Sequence, residues 1–306
     1  MKRIFITFLA TAFICFNLLQ AEKLIIATYN IRYQNASDSI NGNGWVQRCP
    51  IICDQVKFYD FEVFGAQEVL HGQLLDMQKQ LPEYSYVGVG RDDGKTEGEY
   101  APIFYKKQQF KLLDSGNFWL SPITDRPNKG WDAALPRICT WAKLQDSHTN
   151  FTFYFFNLHM DHIGVEARKK SARLVLDEIT EMCANQPVIL TGDFNVDQHS
   201  PNYEILESSE ILKDCYKEAA VRYALNGTFN DFNTNMKTDS RIDHIFVSPE
   251  FKVLRYGILT DTYRTAPTEY ESVKSPNFPT EVSLDKFVAR TPSDHFPVMT
   301  ILEFND

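Results

Sequence analysis

Much that would point elsewhere is missing from this chain. No linker, low-complexity tract or internal repeat breaks the stretch from 22 to 306, so one domain is expected there. No cysteine stands with histidine at zinc-binding spacing. Cys15 sits in the N-terminal apolar run, and the other five cysteines are Cys49, Cys53, Cys139, Cys183 and Cys215. An odd number in an exported chain leaves at least one free thiol. Cys49 and Cys53 lie four apart in a helical pattern and Cys139 in an apolar run, so small core residues is the expected role. Positive charge is short as well: 31 Lys and Arg face 40 Asp and Glu, a formal net charge of −9. Such a surface repels polyanions and argues against tight, salt-driven duplex binding. It does not argue against an enzyme that offsets phosphate charge with bound cations. No exposed hydrophobic hairpin suggests membrane insertion.

The first residues carry a different signal. Met1-Lys2-Arg3 is a basic start, Ile4 to Leu19 an apolar stretch, and Ala21 a small residue before Glu22-Lys23. This pattern predicts a secretory signal peptide over 1–21, with the mature chain from 22 to 306 in the periplasm or outside the cell. The alternative, a retained anchor, meets a run that barely reaches spanning length and no basic stop-transfer cluster.

Periodicity outlines the rest. Strands are predicted at Lys23 to Ile31, Phe61 to Ala66, Tyr84 to Val89, Tyr100 to Lys106 and Phe110 to Leu120. Arg137 to Leu144 and Phe151 to Leu158 flank a polar turn and predict a hairpin. Later strands fall near Val188, at Ile242 to Val247, Val253 to Leu259 and Phe296 to Leu302. Helices are expected over Trp45 to Tyr59, with Pro50 tolerable only near its first turn, over Gly72 to Leu81, and over Val165 to Cys183. Thr260 to Arg290 is polar and turn-rich, a surface excursion that delivers Ser293-Asp294-His295 to a sheet edge. Many adjacent strands with few interspersed helices predict two largely antiparallel sheets packed face to face, helices outside.

The chemistry sits at the strand ends. Gln186 to Leu190 leads into Thr191-Gly192-Asp193-Phe194-Asn195. An acid and an amide at the mouth of a buried strand can grip a cation and a reacting water together. Alone, the motif could equally be a turn. The chain repeats it, however: other strand-like runs end in Asn30, Glu68, His159, Asp243 and Asp294-His295. A carboxylate such as Glu68 at the end of an apolar strand is poorly placed unless paired or metal-bound. Oxygen donors favour Mg²⁺, Mn²⁺ or Ca²⁺ over zinc. Strand alternation aims Asn157 and His159 to one side, so His159 is the more functional histidine of its run, with Asp161 and His162 left open. Asp243 follows Arg241 and has an edge ion pair as its bland alternative. Ser293 lacks a G-x-S-x-G context, so Asp294-His295 reads better as an orienting or metal-binding carboxylate beside a general-base imidazole than as part of a serine triad.

Taken in order, T-Y-N-I-R, G-A-Q-E-V, N-L-H-M-D, T-G-D-F-N-V-D, R-I-D-H-I-F and S-D-H-F-P-V resemble the endonuclease/exonuclease/phosphatase superfamily, from Lys23 to Leu302. The resemblance implies a four-layer α/β sandwich with the site at one end of the paired sheets. It implies metal-dependent hydrolysis of a phosphoester, a nuclease-like diester first. A sugar or inositol phosphatase or a sphingomyelinase-type lipid phosphodiesterase is the alternative, and a non-catalytic binding protein on the same scaffold is disfavoured. It makes Glu68 the main ligand for Mg²⁺ (or Mn²⁺ or Ca²⁺), with Asn30 and Asp294 beside it. Asp193 and Asn195 match the pair that handles the water and the phosphate, and Asp243 the carboxylate that orients His295. His159 matches a phosphate-contacting imidazole, Glu99 its glutamate partner and Arg137 a phosphate-contacting strand residue. No stable protein partner is implied, and a monomer is the expectation.

Overall fold

The computed structural model describes residues 22–304, apart from 185, 224, 225, 268 and 270. The expected leader, residues 1–21, lies outside the described residues.

Two sheets face each other. In spatial order the first runs Val221–Tyr223, Lys252–Ile258, Val298–Phe304, Glu22–Asn30, Val63–Gln67, Ile103–Lys106 and Tyr84–Val87. The second runs Phe110–Trp119, Ile138–Asp146, Thr152–His159, Val188–Asp193, Asp243–Val247 and Lys213–Asp214. Most neighbours are antiparallel. Glu22–Asn30 runs parallel to Val63–Gln67, and Thr152–His159 parallel to Val188–Asp193. Each sheet therefore has a central parallel pair whose carboxyl ends point the same way, the usual place for a ligand crevice in open sheets with parallel strands.

Alternation sorts side chains into layers. Ile26, Val63 and Ile103 of the first sheet meet Phe155, Ile189 and Ile245 of the second in the inter-sheet core. The other face of the first sheet, with Tyr29 and Phe64, packs against Ile52 and Val56 of the helix Trp45–Phe58 and Leu74 and Met77 of the helix His71–Gln80. The other face of the second, with Phe156 and Leu190, takes Val175 and Ile179 of Val165–Cys183 and Tyr203 of Pro201–Glu207. This is the four-layer sandwich. Val165–Cys183 matches its predicted bounds because its buried Ala167, Ala172, Val175 and Ile179 recur at helical spacing.

Two local features depart from the sequence reading. Pro50 lies in the second turn of its helix, not the first. The carbonyl that loses its bond belongs to Val46, on the exposed face, where water can satisfy it. Thr260 to Arg290 is a surface excursion but not structureless: Tyr263–Thr265 pairs with Val288–Arg290, and Ser272–Val273 with Leu284–Asp285. The five cysteines are buried and unpaired.

Just beneath the crevice the sheets are bolted together by polar groups. Asn157 donates to the carbonyls of Ala66 and Pro102 at 2.8 and 3.0 Å, and its oxygen accepts from Gln67 at 2.6 Å and Thr191 at 3.1 Å. A Cβ on Gly65 would fall 2.2 Å from the Asn157 Oδ1, so only glycine lets the sheets approach there. Four hydrogen bonds on one buried amide fix the relative register of the two sheets.

Candidate active site

Register brings the strand-end residues together. His159 pairs with Asp193 across the parallel ladder, and Asp193 pairs with Asp243 across the antiparallel one, so three adjacent strands end in three polar residues at one level. From the first sheet, Asn30 reaches across: its amide nitrogen donates to Asp193 Oδ2 at 3.0 Å and to Glu68 Oε1 at 3.1 Å. Ser293-Asp294-His295 returns beside them, anchored by the Ser293 hydroxyl donating to the Asn30 carbonyl at 2.7 Å. That buried hydroxyl is committed to the backbone, which leaves it no role as a nucleophile.

Asp193, Asn195, Asp294 and His295 line one cleft of about 420 Å³, together with Glu68, Glu99, Arg137 and His159, while Asn30 and Asp243 stand behind it, bonded to Asp193 and His295. Every predicted site residue is in or directly behind it. Asn30 is one of those behind it. Its oxygen accepts from the Arg32 N–H at 3.0 Å, and its nitrogen faces the carboxylates. In this arrangement it holds Glu68 and Asp193 in place by donation.

His295 and Asp243 form a close pair. His295 Nδ1 lies 2.8 Å from Asp243 Oδ2, both residues buried. Burial alone would push the imidazole pKa down; the Asp243 charge and hydrogen bond, with Asp193 and Asp294 nearby, outweigh it and hold His295 well above the ordinary histidine value. Its Nε2 faces Asp193 Oδ2 at 3.8 Å. Asp193 moves the other way for a carboxylate: burial first, then Asp243, raise it to about 7. Its Oδ1 accepts from the Asn195 backbone N–H at 2.9 Å. Asn195, at φ 51°, spends its amide nitrogen on the Met160 carbonyl at 3.0 Å. Its oxygen is the group available to a water.

On the far side, His159 Nε2 lies 3.6 Å from Asp193 and its Nδ1 3.6 Å from Glu99 Oε2. Burial and the cations Arg137 and Arg91 hold His159 well below the ordinary value, so it is neutral at pH 7. The expected Glu99–His159 pairing is loose because Glu99 is held bidentately by Arg91, at 2.6 and 2.9 Å. Arg137 is nearly fully buried; its Nε meets Asp161 at 3.3 Å, one terminal nitrogen meets His162 at 2.9 Å, and the other has no partner. A buried guanidinium with a free donor on a cleft is an anion-binding group.

The residues left open now have places. Asp161 accepts from the backbone of Ile163, Gly164 and Ala134 and so shapes the loop, while His162 lines the cleft. Arg241 pairs with Asp214 at 3.2 Å and not with Asp243. His244 is a core histidine, its Nε2 2.9 Å from the Val196 carbonyl and its ring against Phe194 and Tyr203. Sequence reading missed Arg91, Arg32, Phe229 and Asp231. Arg32 pairs with Asp294 at 3.3 Å. Phe229 packs edge-on against the His295 ring, with centroids 5.1 Å apart. Arg32 closes T-Y-N-I-R but drew no reading there, and the other three sit in no strand-end motif; the left-handed backbone that the fold gives Arg32 and Asp231, φ 58° and 52°, marks those two.

Negative charge in this cleft is undercompensated. Burial is the largest cause raising Asp294 to about 6, and Glu68 adds to it. Hard oxygen donors crowded in a buried site fit a divalent cation. Asp193, Asp243 and His295 also bring ligand atoms within 4.8 Å of one another. In that group the His295 Nδ1 is already spent on Asp243, so Glu68 and Asp294 are the freer donors.

Carboxylates, a raised imidazole and an anion-binding arginine around one cleft define a hydrolase of phosphoester bonds. The endonuclease/exonuclease/phosphatase family model matches residues 27–295, and the chain belongs to that family. It is similar to an endonuclease/exonuclease/phosphatase family protein of Bacteroides thetaiotaomicron, at 51% identity and TM-score 0.87, covering 94% of this chain and 99% of that one. It is also similar to a mannosyl-6-phosphatase of the same organism, at 52% identity and TM-score 0.83, covering 91% and 99%. A D. rerio TDP2 complexed with single-strand DNA product is 17% identical at TM-score 0.64, covering 92% and 98%, which shows the shared fold alone.

Proposed function

We propose that the chain is an exported, divalent-metal-dependent phosphatase that removes phosphate from a sugar phosphate. The observation that carries this reading is the 52% identity to a mannosyl-6-phosphatase across nearly the full length of both chains. The cleft supports it. About 420 Å³ suits a small phosphorylated molecule. The acidic surface disfavours a polyanionic polymer. The sequence reading placed a nuclease-like diester first; the nucleic-acid-bound relative supports that through fold alone.

Glu68 and Asp294 would hold the cation, with Mg²⁺ the first expectation, and it would supply positive charge to offset that of the phosphate. Asp193, raised to about 7, accepts the proton of the attacking water that Asn195 orients. The imidazolium of His295, sustained by Asp243, donates to the phosphate oxygens as charge builds on them. His159, neutral, donates a hydrogen bond on the opposite side. The free nitrogen of Arg137 fixes the phosphate. Export rests on the basic and apolar start of the sequence.

The test is phosphate release with Mg²⁺ from a panel of hexose phosphates, bis-p-nitrophenyl phosphate and single-strand DNA. Turnover of a hexose phosphate at least about 10²-fold above both diesters is expected, a gap that orientation in a fitted site readily supplies. Preference for either diester would replace the phosphatase reading with a phosphodiesterase.

A further inference from the structure

Arg48 lies in the first turn of the helix Trp45–Phe58 and is fully buried. No side-chain carboxylate is hydrogen-bonded to it among the described residues. Its donors go instead to four backbone carbonyls: Asn43 at 2.7 Å, Ile31 at 2.6 Å, Pro292 at 3.1 Å and Arg32 at 3.1 Å. The guanidinium also lies 5.5 Å from the ring centroid of Trp45 and 5.4 Å from that of Phe232.

Burying a cation without a bonded counter-ion costs free energy that an apolar residue would avoid. The acceptors suggest what the arrangement achieves. Ile31 and Arg32 directly follow Asn30. That same turn grips Glu68, through the Asn30 amide at 3.1 Å and the Tyr33 backbone N–H at 3.1 Å. Pro292 sits two residues before Asp294, and Phe232 belongs to the turn whose Asn230 and Asp231 N–H groups donate to the Asp294 carbonyl at 2.7 and 3.2 Å. One planar fork therefore spans the segment that places Glu68 and the segments that place Asp294.

We propose that Arg48 is a positioning residue that sets the spacing of Glu68 and Asp294 across the cleft. It touches neither substrate nor reacting atoms. Lysine cannot replace it, because an ammonium offers no rigid fork to hold carbonyls from two segments at once. The proposal rests on the reading that these two carboxylates hold a cation.

The test uses Arg48→Lys and Arg48→Met in the full chain, with Mn²⁺ binding followed by the EPR signal of the free ion, circular dichroism for folding, and steady-state kinetics. Supporting residues behind metal ligands are worth about 10–100-fold in metal affinity. Both folded variants are expected to bind Mn²⁺ at least about tenfold more weakly. Their kcat should fall by a similar factor, with KM changed far less. Wild-type Mn²⁺ affinity and kcat in either folded variant would overturn the role. If neither folds, Phe232→Ala, at a half-buried residue, removes one flank of the guanidinium; unchanged Mn²⁺ affinity there overturns it equally. A wild-type protein that binds no Mn²⁺ would instead sink the cation reading itself.

Discussion

His295 Nδ1 and Asp243 Oδ2 stand 2.8 Å apart in a buried pair, although 52 residues separate them in the chain. Removing the carboxylate removes the charge that sustains the imidazolium. Asp243→Asn is therefore expected to keep the fold and to lower kcat by about 10² or more, the range of a lost general acid or base. The double variant with His295→Ala should be little worse than His295→Ala alone, since the two act as a unit. Additive losses in the double variant would separate their roles.

Arg137 lines the cleft and carries a buried terminal nitrogen without a partner. Charge-assisted hydrogen bonds contribute about 1.5–3 kcal/mol. Arg137→Met should then raise KM and the inhibition constant of inorganic phosphate by at least about tenfold. An unchanged phosphate inhibition constant would remove it from the binding site.

Asp161 gives a pH-dependent stability. Burial alone would raise its pKa, but the N–H groups of Gly164, Ala134 and Ile163, with Arg137, hold it at about 2. A folded value below the unfolded one, about 3.9, means stability present above the unfolded value and lost as pH falls through the folded one. Asp161→Asn should be less stable than wild type at pH 7. The gap should narrow between about pH 4 and pH 2, read from urea melts of both proteins at each pH. A gap that stays constant would assign the effect to packing.

Chelation tests the cation. EDTA should abolish turnover and Mg²⁺ or Mn²⁺ restore it, while Glu68→Gln should require more metal for half-maximal rate. Full activity in EDTA would remove metal from the chemistry.

Ser293 donates to the Asn30 carbonyl from a buried position. Ser293→Ala should cost about 1 kcal/mol of stability and leave kcat within about tenfold of wild type. Abolished turnover in the folded variant would reopen a nucleophilic role.

Much of this molecule is written locally. Alternation in Glu22–Asn30 and Thr152–His159, and the 3.6-residue pattern of Val165–Cys183, depend on neighbours only a few residues away, so they are readable in one dimension. So is the rule that a carboxylate such as Glu68 or Asp193 ends a buried strand for a reason. Tertiary structure alone decided the partnerships. The sequence names Asn30 and Asp193 but not that an amide nitrogen 163 residues away bridges Asp193 to Glu68. Glu99 was legible, its bidentate Arg91 was not. Nothing in the sequence singled out Arg48, and its burial follows only from where Ile31 and Pro292 meet. Periodicity is a property of backbone geometry and fixes which face a residue occupies. Which distant group it meets there depends on sheet register and loop closure, and those are settled by packing the whole chain at once.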